Sequence, residues 1–202
     1  MAEVKILIEG VHKIIGDGKM DIGCTTTLIK SDINIIVDPG ALINKDRLIS
    51  ALKKEGLGLE DIDAVILTHL HIDHTLNTFL FDKARIFLRF IGGSSYPGMF
   101  QKLAEGTLQR FDLFNDIIAK NVKIIETQGH SIDGITILVK TNNGVVAIAG
   151  DAISDEEWLD LNKKADPNIY YDVEKFDESR KKILEIADFV IPGHGGILRV
   201  SK

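Results

Sequence analysis

Five short apolar runs in this chain each lead into histidine or aspartate. INIIV runs into VDPG at Asp38, DAVIL into THLHIDH at 68–74, VKIIET into QGHS at His130, GVVAIA into GD at Asp151, and DFVI into PGHG at His194. Runs this short and β-branched, bounded by glycine or polar residues, predict strands. The chain must therefore fold so that the carboxyl ends of several strands, with the loops that follow them, present polar groups. Loops at strand ends are where a rigid scaffold carries its chemistry.

The rest of the pattern fills in around those runs. Further strands are predicted at 4–9, 24–29 and 84–90, with the DAVIL strand read as 63–69 and a short helix after His74. Residues 44–56 carry apolar side chains at 48, 49, 51 and 52, between an asparagine start and a glycine stop, which predicts an amphipathic helix. The stretch 92–108 contains Gly, Ser and Pro without a period and reads as a loop or a frayed helix. Strands at 122–127, 134–140 and 144–150 follow, the last two joined by an Asn-Asn-Gly turn at 141–144. A helix over 174–187, the short run 188–191 and a final strand near 197–200 complete the order. Hairpins argue against an all-parallel sheet. Two mixed sheets packed together, with helices outside, satisfy this order. A length of 202 residues fits a single domain over 1–202.

Composition narrows the class. With 24 basic and 30 acidic residues the net charge is −6, so there is no broad electrostatic footprint for wrapping duplex nucleic acid. The start, MAEVKILIEG, alternates like a strand and lacks the layout of a signal peptide. No apolar run approaches the roughly 18 residues of a membrane span. One cysteine, Cys24, forbids an internal disulfide and fits a reducing, cytoplasmic setting. It opens the apolar stretch CTTTLI and is expected to be buried and structural.

Three of the six histidines fall at 69, 71 and 74, beside Asp73. Burying three such imidazoles without a metal would require many hydrogen-bond partners. Imidazole nitrogens and carboxylate oxygens suit zinc and its neighbours in the first transition row. His69, His71, Asp73, His74, His130, Asp151 and His194 are too many for one tetrahedral ion and match two ions sharing a bridging carboxylate. Asp38 is expected to orient a histidine ligand or its loop. His12, in GVHKII, has no ligand-type neighbour in sequence and reads as an ordinary polar side chain.

This series of motifs resembles the metallo-β-lactamase-fold superfamily. VDPG, THLHIDH, QGHS, GD and PGHG occur in that family's order between residues 24 and 196. A finer likeness, in CTTTLI, DEEW and ESRKKILEIADFVIPGHG, is to the compact single-domain proteins around metallo-β-lactamase domain-containing protein 1. The resemblance implies an α/β (α+β) fold, a four-layer αββα sandwich of two mixed β-sheets with outer helices. It implies that His69, His71 and His130 hold one divalent ion, that Asp73, His74 and His194 hold a second, and that Asp151 bridges them. Zinc is the expected metal, with manganese or iron as alternatives. Gln128 departs from the family, which often has proline there, but the Gly129–His130 step is kept.

The function so implied is a metal-dependent hydrolase in which a bridging hydroxide attacks an ester, thioester or lactone of a small molecule, with Asp73 steering the nucleophile. Two alternatives share the motif: a phosphodiesterase or endoribonuclease acting on single-stranded RNA, and a mononuclear iron persulfide dioxygenase. The chain stops eight residues after His194, without room for the helical region that binds glutathione in glyoxalase II enzymes. Pocket walls are expected from 11–21, 92–108 and 158–171, with Tyr96, Trp158, Tyr170 and Tyr171 as possible contacts. A membrane partner is not expected, and the sequence sets no oligomeric state.

Overall fold

A strand that is apolar at nearly every position needs cover on both faces, and the architecture provides it. The computed structural model describes residues 1–89, 111–112 and 117–201. In chain order its strands are β1 (Glu3–Ile8), β2 (Val11–Gly16), β3 (Lys19–Gly23), β4 (Thr26–Lys30), β5 (Asn34–Val37), β6 (Ala64–Ile66) and β7 (Arg85–Phe87). They continue with β8 (Phe111–Asp112), β9 (Ile117–Ala119), β10 (Val122–Glu126), β11 (Ile135–Thr141), β12 (Gly144–Gly150), β13 (Phe189–Pro192) and β14 (Leu198–Arg199). The α-helices are α1 (Lys45–Lys54), the single turn α2 (Ile72–Thr75) and α3 (Val173–Ile186).

Among the described residues two six-stranded sheets form, in the orders β1-β4-β5-β6-β7-β8 and β14-β13-β12-β11-β10-β9. The first is antiparallel from β1 to β5 and parallel from β5 to β8. The second is antiparallel except where β12 runs parallel to β13. Both sheets are mixed, as the order of elements predicted.

Side-chain alternation then builds the layers. Ile35, Val37, Ala64 and Ile66 point inward and meet Ile135, Ile137, Val139, Val146 and Ile148 of the opposite sheet. Their neighbours Leu28, Ile36, Val65 and Ile86 point outward against Leu48 and Leu52 of α1. On the other side Ala147, Ala149 and Val190 pack on Phe176 and Ile183 of α3. The result is the four-layer αββα sandwich. Leu48 and Leu52, four residues apart, lie on one face of α1, while Lys53 and Lys54 end it, where cations favour the helix dipole. Asp172 caps α3 by accepting from the Lys175 amide at 3.1 Å.

The structure corrects several boundaries. Residues 11–21, expected as a less regular pocket wall, lie in the hairpin β2–β3, turning at Gly16-Asp17-Gly18 with positive φ at all three. A two-stranded hairpin with almost every residue exposed offers no continuous apolar run to read. Both of its faces carry exposed apolar side chains, with Val11 and Ile15 on the face opposite Ile14. His12 pairs with Ile22 and Ile14 with Met20 on one face, while Lys13 pairs with Asp21 on the other. Strand β6 stops at Ile66, so Leu67 to Leu70 run irregularly; His74 lies inside α2, and the short helix expected after it is the 3-10 helix Leu76–Leu80. The loop read at 92–108 lies outside the described residues. No helix among the described residues is long and apolar enough to cross a membrane.

Because Leu48 is fully buried between α1 and the first sheet, Leu48→Ala should cost about 2–5 kcal/mol. Urea unfolding is the check. An unchanged midpoint would show that α1 is not docked as described.

Candidate metal centre

The ends of β6, β10, β12 and β13 all open toward one place. His69 and His71 follow β6, α2 carries Asp73 and His74, His130 sits between β10 and β11, Asp151 follows β12, and His194 follows β13. The structure brings all seven together. Their ligand-type atoms form two groups, each within 4.8 Å of one another: His69, His71, His130 and Asp151, and Asp73, His74 and His194.

Asp151 stands between the groups. Its Oδ2 lies 3.2 Å from His130 Nε2 and 3.8 Å from His69 Nε2. Its Oδ1 lies 3.3 Å from His194 Nε2 and 3.5 Å from His74 Nε2. Asp73 Oδ2 is 3.5 Å from His74 Nε2 and 3.9 Å from His194 Nε2, and His130 Nε2 is 3.1 Å from His71 Nδ1. Around a tetrahedral ion with bonds of about 2.0–2.2 Å, neighbouring donors sit roughly 3.3–3.6 Å apart. His69 Nε2, His74 Nε2, Asp73 Oδ2 and Asp151 Oδ1 are buried with no hydrogen-bond partner. Buried polar atoms left unpaired are costly, and cations held by the two groups are natural partners for them. The donor set fits divalent metal.

The far sides of the His69, His74 and His194 rings are pinned, while His130 Nδ1 is buried without a partner. The Thr68 hydroxyl donates to Asp38 Oδ2 at 2.6 Å, which leaves its lone pairs to accept from His69 Nδ1 at 3.1 Å. His74 Nδ1 donates to the same Asp38 oxygen at 2.8 Å, and the Thr68 amide to Asp38 Oδ1 at 2.8 Å. His194 Nδ1 donates to the Gly23 carbonyl at 2.9 Å. In each case the Nδ1–H is spent on the protein and the Nε2 lone pair is aimed inward. The sequence reading missed Thr68 and Gly23. The hydroxyl directly before His69 was a visible signal; a backbone carbonyl leaves none. Asp38 holds its place with φ at +49°. Two glycines are required by close approach: a Cβ on Gly193 would strike Asp151 Oδ1, and one on Gly150 would strike the Thr68 side chain.

Electrostatics follow from this crowding. Burial opposes the imidazolium of His74, but Asp38, Asp151 and Asp73 outweigh it and raise its pKa to about 9. Burial, with the charge of His74 nearby, drives His69 well below the usual histidine value, and burial lowers His130. Burial also opposes charge on His194, which its hydrogen bond to Asp151 overcomes. Asp151 stays well below the carboxylate range despite its burial, because His74 and His194 face it.

The surroundings revise some expectations. His12 is not isolated in space: its ring lies 5.3 Å from that of His194, a neighbour from the far end of the chain. Trp158 is not a pocket wall. It is 8% exposed and packs on Phe176 at 5.1 Å in the outer core. Tyr171 is exposed, and Tyr170 lies edge-on to His130 with ring centroids 5.5 Å apart. Burial, with Asp151 and Asp155 nearby, pushes the Tyr170 phenol up to about 12. Tyr96 lies outside the described residues. Cys24 is buried and free, its thiol raised by burial and by Asp38.

The metallo-beta-lactamase superfamily model matches residues 21–194. A relative from Xenopus laevis, metallo-beta-lactamase domain-containing protein 1, is 29% identical over 98% of this chain and 82% of its own length. A crystal structure of a candidate metallo-beta-lactamase from Thermotoga maritima superposes with a TM-score of 0.74 at 23% identity, covering 98% of this chain and 99% of that one. An N-acyl homoserine lactone hydrolase, with N-hexanoyl-L-homoserine bound at its catalytic metal center, superposes at 0.70 and 18% identity, covering 96% and 92%.

Asp38→Ala frees His74 and strands the Thr68 amide, so affinity for the metal held through His74 should fall about 10- to 100-fold. Competition against a chelator reads that loss, and an unchanged affinity would remove Asp38 from this role. In protein kept metal-free, His74 is raised above the roughly 6.5 of an unfolded histidine. Its charged form therefore contributes stability that is complete below about pH 6.5 and lost as pH climbs through 9, at most about 3 kcal/mol. Urea unfolding at the two ends of that range should differ accordingly. Equal stability would contradict the Asp38–His74 pairing.

Proposed function

The chain belongs to the metallo-beta-lactamase superfamily, and from that premise we propose that it is a dinuclear metal-dependent hydrolase of small-molecule esters, thioesters or lactones. The observation that carries this reading is Asp151, whose two oxygens each face a different histidine group. His69, His71, His130 and Asp151 Oδ2 would hold one ion; Asp73, His74, His194 and Asp151 Oδ1 would hold the other. Zinc is the proposed metal. Two such ions supply a water activated near neutral pH and a Lewis acid for the substrate oxygen.

The chain's own groups do the rest. Asp73, whose side chain is 15% exposed against 8% for Asp151, is the ligand carboxylate nearer the opening. It is assigned the orienting of the attacking water. The hairpin face that carries His12, beside His194, also presents Ile14, Met20 and Ile22, which are 74%, 49% and 45% exposed. An apolar strip at the rim of a polar centre favours a substrate with an apolar portion over a polyanion. The net charge of −6 points the same way. The bound product in the lactone hydrolase of like fold supports the ester and lactone chemistry. The lone, buried Cys24 supports a cytoplasmic setting.

Metal analysis of protein purified without added metal should find close to two zinc or manganese ions per chain. The loaded protein should then turn over members of an ester, thioester and lactone panel. His71→Ala and Asp151→Ala should each lose bound metal and at least about 10³-fold of that turnover. A single iron per chain with oxygen uptake on a persulfide, or salt-sensitive cleavage of single-stranded RNA alone, would replace this reading.

A further inference from the structure

Tyr170 stands beside the centre without belonging to it. Its ring meets His130 edge-on at 5.5 Å, and its phenol lies near Asp151 and Asp155. The side chain is half-buried.

The surroundings hold this ring with unusual firmness. Tyr170 packs on Phe176 at 4.4 Å and on Trp158 at 5.5 Å. Behind them Arg180 is fully buried, its guanidinium over both of those rings at 5.2 and 5.1 Å. It donates to the carbonyls of Trp158, Asp160 and Lys163 at 3.2, 3.1 and 3.0 Å and pairs with Asp177. A buried guanidinium is costly unless its donors are used, and here three of them fasten one loop. The same loop is tied to the His130 loop, since the amides of Tyr171 and Asp172 donate to the carbonyls of His130 and Gly129 at 3.4 and 3.0 Å. Tyr170 and His130 therefore move as one unit. A hydrogen-bond donor is thus fixed beside the His69–His71–His130 group.

We propose that Tyr170 positions the substrate, its phenol donating a hydrogen bond to the carbonyl oxygen of the ester or lactone. This rests on the hydrolase reading above. Arg180 acts only through the loop, as a positioning residue. Donors fixed at the place where negative charge develops are worth far more than mobile ones.

The test is Tyr170→Phe, which keeps the ring stack and removes only the hydroxyl. In metal-loaded protein kcat/KM on the preferred ester or lactone should fall about 10²-fold, with metal content and unfolding midpoint unchanged. A second measurement does not depend on turnover. Hexanoate, a carboxylate mimic of the product, is titrated into the cobalt-substituted protein and followed by its visible spectrum. The variant should bind it about 10-fold more weakly, the loss of one hydrogen bond to a charged group. A wild type that binds hexanoate but turns over no ester or lactone sinks the hydrolase reading, while the affinity difference still tests Tyr170. Equal affinities and equal kcat/KM in the two proteins, or a wild type that binds no hexanoate, overturn the assignment of Tyr170.

Discussion

Everything at this centre hangs from one buried carboxylate. Asp38, 2% exposed at the end of β5, accepts from the Thr68 amide, the Thr68 hydroxyl and His74 Nδ1. Those three bonds join the ends of two neighbouring parallel strands to the helical turn α2. They also satisfy a charge that would otherwise be prohibitive to bury. Through Thr68 the same carboxylate sets the tautomer of His69. One side chain that need touch no metal thereby aims a nitrogen from each of the two groups.

The sandwich makes such an arrangement possible. Layers of Ile and Val on both faces of each sheet hold the strand ends in fixed relation, so loops of a few residues suffice to deliver ligands. Close packing also sets where side chains are forbidden. Gly150 and Gly193 leave space that Thr68 and Asp151 occupy, and neither polar group could hold its position against an added methyl. The polar cluster is the cost of this geometry. Five imidazoles face one another and two carboxylates in a largely buried cluster open at His71, so their protons and any bound cations are tightly linked.

Segments outside the motifs flank the centre. The hairpin β2–β3 brings His12 and an apolar face to the His194 side, while the loop before α3 brings Tyr170 to the His130 side. One is an exposed two-stranded ribbon and the other is locked down by a buried arginine. A substrate held between them would meet a yielding apolar surface on one side and a fixed donor on the other.

The sequence by itself determined the strands β1, β4 to β7 and β10 to β14, the helices α1 and α3, and the seven histidines and aspartates gathered here. Each of those rests on local information: β-branched runs, 3.6-residue periodicity, and rare residues concentrated after strands. Boundaries were blurred where hydrogen bonding rather than hydrophobicity decides them, as at Ile66, where β6 stops three residues short of His69. Only the tertiary structure decided that Asp151 faces both groups, that Thr68 and the Gly23 carbonyl orient His69 and His194, and that His12 and Tyr170 flank the site while Trp158 does not. Those are distances between residues far apart in the chain. Backbone carbonyls and paired hydroxyls carry no signature in sequence, and their roles exist only once the two sheets have packed.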